Sequence, residues 1–188
     1  MKIICLLLSI LMVAVPSTIA FAKEKGLSTK ACYQEFEKYP PKKVIQMART
    51  LRDHISKKGQ KGMAALNKPS AMVWPNPPVS PILSVVHCGE MRVETFALPE
   101  MLDTVRKKGF LQKFQDAKGK HTFVELCSQM KGHKSEVWTM QDHYWIGCEG
   151  LLKMGVLMVK VPKTPYSIQV SLPNDKYSLK DLTKALKN

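Results

Sequence analysis

The 188-residue chain carries 29 Lys and Arg against 15 Asp and Glu, with 45% hydrophobic and 23% charged residues. It holds no internal repeat and no low-complexity segment, and its size is that of one ordinary domain rather than several. The positive surplus favours anionic partners in general. The basic residues are scattered, however, over Lys42/Lys43, Lys57/Lys58/Lys61, Arg106–Lys108, Lys118/Lys120 and Lys131/Lys134. None of these groups is interleaved with aromatics, so nucleic acid is excluded as the expected partner and a generally basic, solvated surface is the simpler reading.

Residues 1–22 read as a signal peptide. Lys2 is a minimal positive start, Ile3–Val15 an apolar run, and Ala20-Phe21-Ala22 a small-x-small cleavage signal, with Lys23 as the expected mature N-terminus. The apolar run is short for a bilayer span, so no stable membrane insertion is expected after cleavage. The expected location is periplasmic or secreted. Only Lys2 among the charged residues would be removed, leaving a charge of +13 on 166 residues. Cys32, Cys88, Cys127 and Cys148 would remain, an even number suited to disulfides in an oxidising compartment. Spacing alone leaves their three pairings open.

Residues 23–40 form a charged N-terminal extension with helical character around Ala31–Lys38, ended by Pro40-Pro41; residues 41–188 are the single main domain. A helix over Pro41–Lys58 follows from Val44, Ala48, Leu51 and Ile55 on one face, with Pro41 at its start and Gly59 placed to cap it. A short helical turn is expected at Gly62–Leu66, then a proline-rich loop over Met72–Pro81. Ile82–Cys88 and Met91–Ala97 are two strands around a Gly89-Glu90 hairpin signal. Pro99–Lys108 is a helix with acid at its start and base at its end, and Phe110–Lys120 a surface connection. Thr122-x-x-Glu125 reads as a capping box for a helix over Phe123–Lys131, with Cys127 on its inner face.

Glu136–Trp145 is an aromatic-rich strand. Leu151–Val161 and Tyr166–Leu172 form a hairpin around Pro162-Lys163-Thr164-Pro165. The first of these is apolar enough for an interior strand covered on both faces. In the second, Tyr166, Ile168, Val170 and Leu172 alternate with Ser167, Gln169 and Ser171, the pattern of a half-buried strand. Ser178-x-x-Asp181 opens a last helix to Leu186. The order predicts an α+β domain: one antiparallel sheet of about five strands, a long N-terminal helix and short covering helices.

Chemistry-bearing patterns are few. The five histidines and the cysteines lack the paired short spacings of a metal site, and His87 and Cys88, adjacent on a strand, point to opposite faces. No G-x-S-x-G elbow, H-E-x-x-H motif or glycine-rich phosphate loop is present, so neither an enzyme nor a cofactor is expected. Gln141 and His143, polar among Trp138, Tyr144 and Trp145, could line a small-molecule cavity.

Several motifs in order carry a family likeness. They are His54-x4-Gly59 running into Gly62–Pro69, Val85-Val86-His87-Cys88, Ala97-Leu98-Pro99, Asp116–Lys120 before Phe123–Cys127, Val137-Trp138, and Val161-Pro162-Lys163-Thr164-Pro165-Tyr166. Over roughly Val44–Leu182 the chain resembles single Cache domains of the second type, the PAS-like extracellular sensor modules of bacteria. The resemblance implies an antiparallel sheet with a long N-terminal helix and a pocket for small organic ligands, often short carboxylates. It also implies a Cys88–Cys127 disulfide, both positions often carrying cysteine in the family, which leaves Cys32 with Cys148. Three positions depart from the family pattern: Leu98 replaces its histidine, Met140 or Gln141 its tyrosine, and Val156 and Leu157 its polar pair.

The expected function is therefore an exported, stand-alone sensor domain binding a small molecule without transforming it and signalling through a partner protein. Its pocket would lie between the sheet and the short helices, with Trp138 as a wall and Gln141, Tyr166 and Arg92 as polar contacts. The alternative is an interaction protein with a degenerate pocket, docking an anionic glycan, lipid or acidic protein through its basic surface.

Overall fold

The computed structural model describes residues 26–66, 81–96, 102–132, 134–145 and 147–187. The expected signal peptide, the proline-rich loop up to residue 80 and Ala97-Leu98-Pro99 lie outside the described residues. Among the described residues no helix is long and apolar enough to cross a membrane.

The chain enters through α1 (Thr29–Phe36), capped by the Ser28 hydroxyl, which accepts the Ala31 N–H at 3.3 Å. Cys32 and Phe36, one turn apart, are both buried, so this part of the expected extension packs into the core. Then α2 (Pro41–Leu66) turns Val44, Ile45, Ala48, Leu51 and Ile55 onto the sheet. Each large side chain so buried contributes about 1.5–3 kcal/mol. Gly59, at φ 55° and ψ −141°, breaks the helix geometry. The expected cap is therefore a kink, after which the expected short turn continues as helix. Arg49 reaches across to the sheet and binds Glu136 through two bonds of 2.7 Å.

The sheet has the order β2-β1-β5-β4-β3 and is antiparallel throughout, from β1 (Ile82–His87), β2 (Arg92–Phe96), β3 (Glu136–Tyr144), β4 (Leu151–Lys160) and β5 (Tyr166–Pro173). The register lines up Leu83, Val170, Leu157 and Trp138 across one face. These side chains are buried in the same cluster as the α2 stripe. On the other face Ser84 pairs with Gln169, Ile82 with Ser171, and Gln141 with Met154. That face is covered by α3 (Leu102–Val105), α4 (Phe110–Lys113) and α5 (Thr122–Lys131), with α6 (Leu179–Ala185) closing the chain.

Both disulfides form. Cys88–Cys127 (Cα–Cα 5.3 Å) ties α5 to the end of β1, and Cys32–Cys148 (5.9 Å) ties α1 to the β3–β4 connection. Beside the second, Leu27 exchanges backbone bonds with Gly147 and Glu149 at 2.8 and 2.7 Å.

Three local expectations need correction. Phe110–Lys120 is not a surface connection throughout: Leu111 is 1% exposed, and its burial with the partly buried Phe110 and Phe114 against the sheet creates α4. The capping box at Thr122 does not form. Thr122 lies inside the helix, fully buried, and Glu125 pairs with Lys120 at 3.0 Å instead. Packing of Phe123 and Leu126 outweighs a local cap there. At the exposed Ser178, where nothing competes, the box with Asp181 is complete. Third, β5 is not half-buried: Ser167, Gln169 and Ser171 are as enclosed as the apolar residues between them.

Candidate functional site

The buried polar row of β5 needs an explanation, because polar groups out of water must be hydrogen-bonded. It floors a cavity of about 280 Å³ between the sheet and the short helices. Ser84, Gln169, Ser171, Gln141 and His143 bring polar atoms to it from β1, β5 and β3. Val105, Phe110, Leu111, Phe114 and Phe123 roof it from α3, α4, α5 and the loop between the last two. Phe114 and Phe123 meet edge to face with centroids 5.3 Å apart, a favourable ring geometry that stiffens the roof.

Two of the floor bonds are internal. The Ser84 hydroxyl donates to Gln169 Oε1, and Gln169 Nε2 donates to Ser171 Oγ. Gln169 is thus fixed by its neighbours on both sides. Gln141 is different: it is 6% exposed, and its Oε1 has no hydrogen-bond partner among the described residues. A buried acceptor left in that state costs about 1–3 kcal/mol. His143 accepts the Tyr144 N–H at its Nδ1 (2.9 Å) and stands edge-on to Phe114 at 5.1 Å. Burial pushes its pKa down, partly offset by the charge of Asp116. The ring is accordingly neutral at pH 7, with its proton on Nε2.

Asp116 pins the loop before α5 beside these residues. Its carboxylate accepts the N–H groups of Lys118 and Lys120 at 2.8 Å each and of Asp142 at 3.3 Å. Burial alone would raise its pKa; the bonds from Lys120, Lys118 and Asp142 outweigh that and hold the carboxyl below its ordinary range. A depressed carboxyl stabilises the fold above its unfolded pKa of about 4 and loses that contribution as pH falls through the folded value. Asp116→Asn should therefore cost about 1–2 kcal/mol at pH 7. The gap from wild type should narrow as pH falls below about 4. Urea unfolding at pH 7 and pH 3 measures this, and a gap of constant size would contradict it.

Of the four side chains expected at the pocket, the structure brings one to this cavity, Gln141. Trp138 stands on the opposite face, beside a hollow of about 30 Å³ with Phe36, Val44 and Leu182, large enough for a water but not an organic ligand. Odd and even positions of β3 face opposite ways, so Trp138 and Gln141 could not share a pocket. Arg92 is engaged by Glu90 and Glu94 at 2.5 and 2.7 Å. Tyr166 packs edge-on against His87 at 5.3 Å. Pairing of His87 with both places Arg92 and Tyr166 on the face of Val85 and Ile168, away from the cavity. Val156, where the family pattern has a polar group, lies buried among the residues beneath α5, and Leu157 faces α2.

Ser84, Gln169 and Ser171 were not singled out by the sequence. The available signal was a polar alternation in a strand flanked by two apolar ones: a central strand has no solvent to face, so its polar side implies a cavity. Among the described residues no three His, Cys, Asp or Glu side chains converge as metal ligands.

Solved structures share this fold. One, the periplasmic sensor domain of a chemotaxis protein, superposes with a TM-score of 0.53 at 14% identity, covering 72% of this chain and 93% of its own. Another is a Cache chemosensory domain described for its recognition of carboxylic acids. It superposes with a TM-score of 0.53 at 9% identity, covering 76% of this chain and 99% of its own. The chain has a Cache fold. No protein-family model and no curated protein sequence matches it. In the Cache fold, the sheet with its long helix on one face leaves the short helices of the other face to roof the cavity described above.

Proposed function

We propose that this chain is an exported sensor domain that holds one small organic molecule in the cavity over β5 and passes the event to a partner protein. The observation that carries the reading is the cavity of about 280 Å³ whose floor includes a buried, unpartnered Gln141 carbonyl. A concave, mainly apolar site with a few placed polar groups is the usual form of a small-molecule pocket. Export is supported by the signal-peptide pattern of residues 1–22 and by two disulfides, which persist in oxidising compartments. Binding without reaction is supported by the floor chemistry: the Ser84 and Ser171 hydroxyls are engaged by the Gln169 amide. An amide cannot take up a proton, so that bond activates neither serine.

A thermal-shift screen of small acids, amides, alcohols and amines tests the proposal. At a ligand concentration of 100 Kd the stabilisation is about 2.7 kcal/mol, and Tm should rise by about 5–10 °C. Ile82→Phe, which puts a ring into the cavity, should keep the unliganded Tm and lose that rise. No stabilising compound, or stabilisation undiminished in Ile82→Phe, would count against this cavity as the site.

A further inference from the structure

We infer that the cavity selects an uncharged molecule that carries an N–H or O–H donor on a compact, ring-sized apolar body, and rejects carboxylates. The inference rests on the sensor reading above and deepens it.

Charge comes first. Among the described residues lining the cavity there is no Lys, Arg, Asp or Glu. His143, the one titratable side chain with an imidazole there, is kept neutral by burial and by the Tyr144 N–H held at Nδ1. A carboxylate or an ammonium transferred into such a site would lose its hydration without gaining a counter-charge, which is strongly unfavourable. Arg92, expected from its sequence position as a polar contact, is committed to two glutamates on the other face. Asp116, close enough to influence His143, spends its oxygens on three backbone N–H groups.

Hydrogen-bond sense comes second. Gln141, which lines the cavity, has its acceptor Oε1 buried and without a partner among the described residues. A deprotonated acid has no proton to give it; an amide, phenol or alcohol does. The Ser84–Gln169–Ser171 chain ends at a hydroxyl on β5, two strands from Gln141, that can serve a second polar group of the ligand. Size and body come third. A dry cavity of about 150 Å³ accommodates a benzene-sized molecule, so about 280 Å³ admits a substituted ring, and Phe114 and Phe123 offer it a ring edge and face.

A matched set of probes separates these terms: benzamide and phenol (neutral donors), benzoate (anion), benzylammonium (cation) and toluene (no donor), titrated calorimetrically into the disulfide-bonded protein. Benzamide or phenol should bind about tenfold tighter than toluene, and both ions should bind more weakly than toluene. In Gln141→Leu the preference for donor over toluene should vanish while toluene binding persists, which also shows that the variant is folded. Benzoate binding tighter than benzamide would overturn this inference and leave the sensor reading standing. A donor preference unchanged in Gln141→Leu would overturn the assignment of Gln141. Failure of every probe, together with failure of the wider screen, would overturn the sensor reading itself.

Discussion

Replacing Cys32 and Cys148 together by alanine is expected to lower the unfolding free energy by about 5 kcal/mol, and replacing Cys88 and Cys127 by about 4 kcal/mol. The order follows from chain entropy: the first bridge closes a segment of 116 residues, the second one of 39. A longer closed loop removes more freedom from the unfolded chain, though only logarithmically. Either loss is a large share of the 5–15 kcal/mol that stabilises an ordinary domain. Urea unfolding of the oxidised protein and the two double variants measures both, and a smaller loss for Cys32/Cys148 would contradict the account. The first variant should also loosen its own neighbourhood before global unfolding. Phe36 stacks edge-on against Trp145 with centroids 5.4 Å apart, so release of α1 changes the environment of Trp145 and should appear as an early fluorescence transition. In the Cys88/Cys127 variant that early transition should be absent, because α1 remains tethered.

How much of this was legible in the residues depends on whether a feature is decided locally. The α2 stripe from Val44 to Ile55, the hairpin around residues 162–165 and the Ser178–Asp181 box all rest on short-range pattern, and each appears where expected. What failed was decided by neighbours distant in sequence. Thr122 carries the signature of a helix cap, but the sheet beneath α5 takes up Phe123 and Leu126 and draws Thr122 in with them. The alternation in β5 is period two, and its polar face reads as facing solvent because a single strand does not reveal that β1 and β4 flank it and that α4 roofs it.

The candidate site divides along the same line. Gln141 and His143 stand out as polar residues in an aromatic strand, and both line the cavity. Trp138 stands out for the same reason yet faces the other way, because its even position aligns with Leu157 and Val170 under α2. Prominent residue type identified the strand; only parity relative to the covering helices identifies the face. The family resemblance supplied the side of the sheet on which a pocket lies, and it was the register that decided which residues reach it.

That distinction between a filled face and a hollow one should be measurable without any ligand. Leu157 and Leu111 are 0% and 1% exposed, so area removed from water predicts equal losses for Leu→Ala at the two sites. Packing predicts otherwise. Leu157 sits in the filled layer between Val170, Trp138 and the α2 stripe. Truncation there opens a new void among close-packed neighbours and should cost about 4 kcal/mol. Leu111 already borders the cavity of about 280 Å³. Its side chain has fewer atoms against it on that side, and removing it enlarges an existing space, at a cost of about 2 kcal/mol. The difference should persist across denaturant midpoints measured with the disulfides intact. Equal losses would mean that the roof over β5 packs as densely as the opposite face, and the cavity on which the functional reading stands would have to be given up.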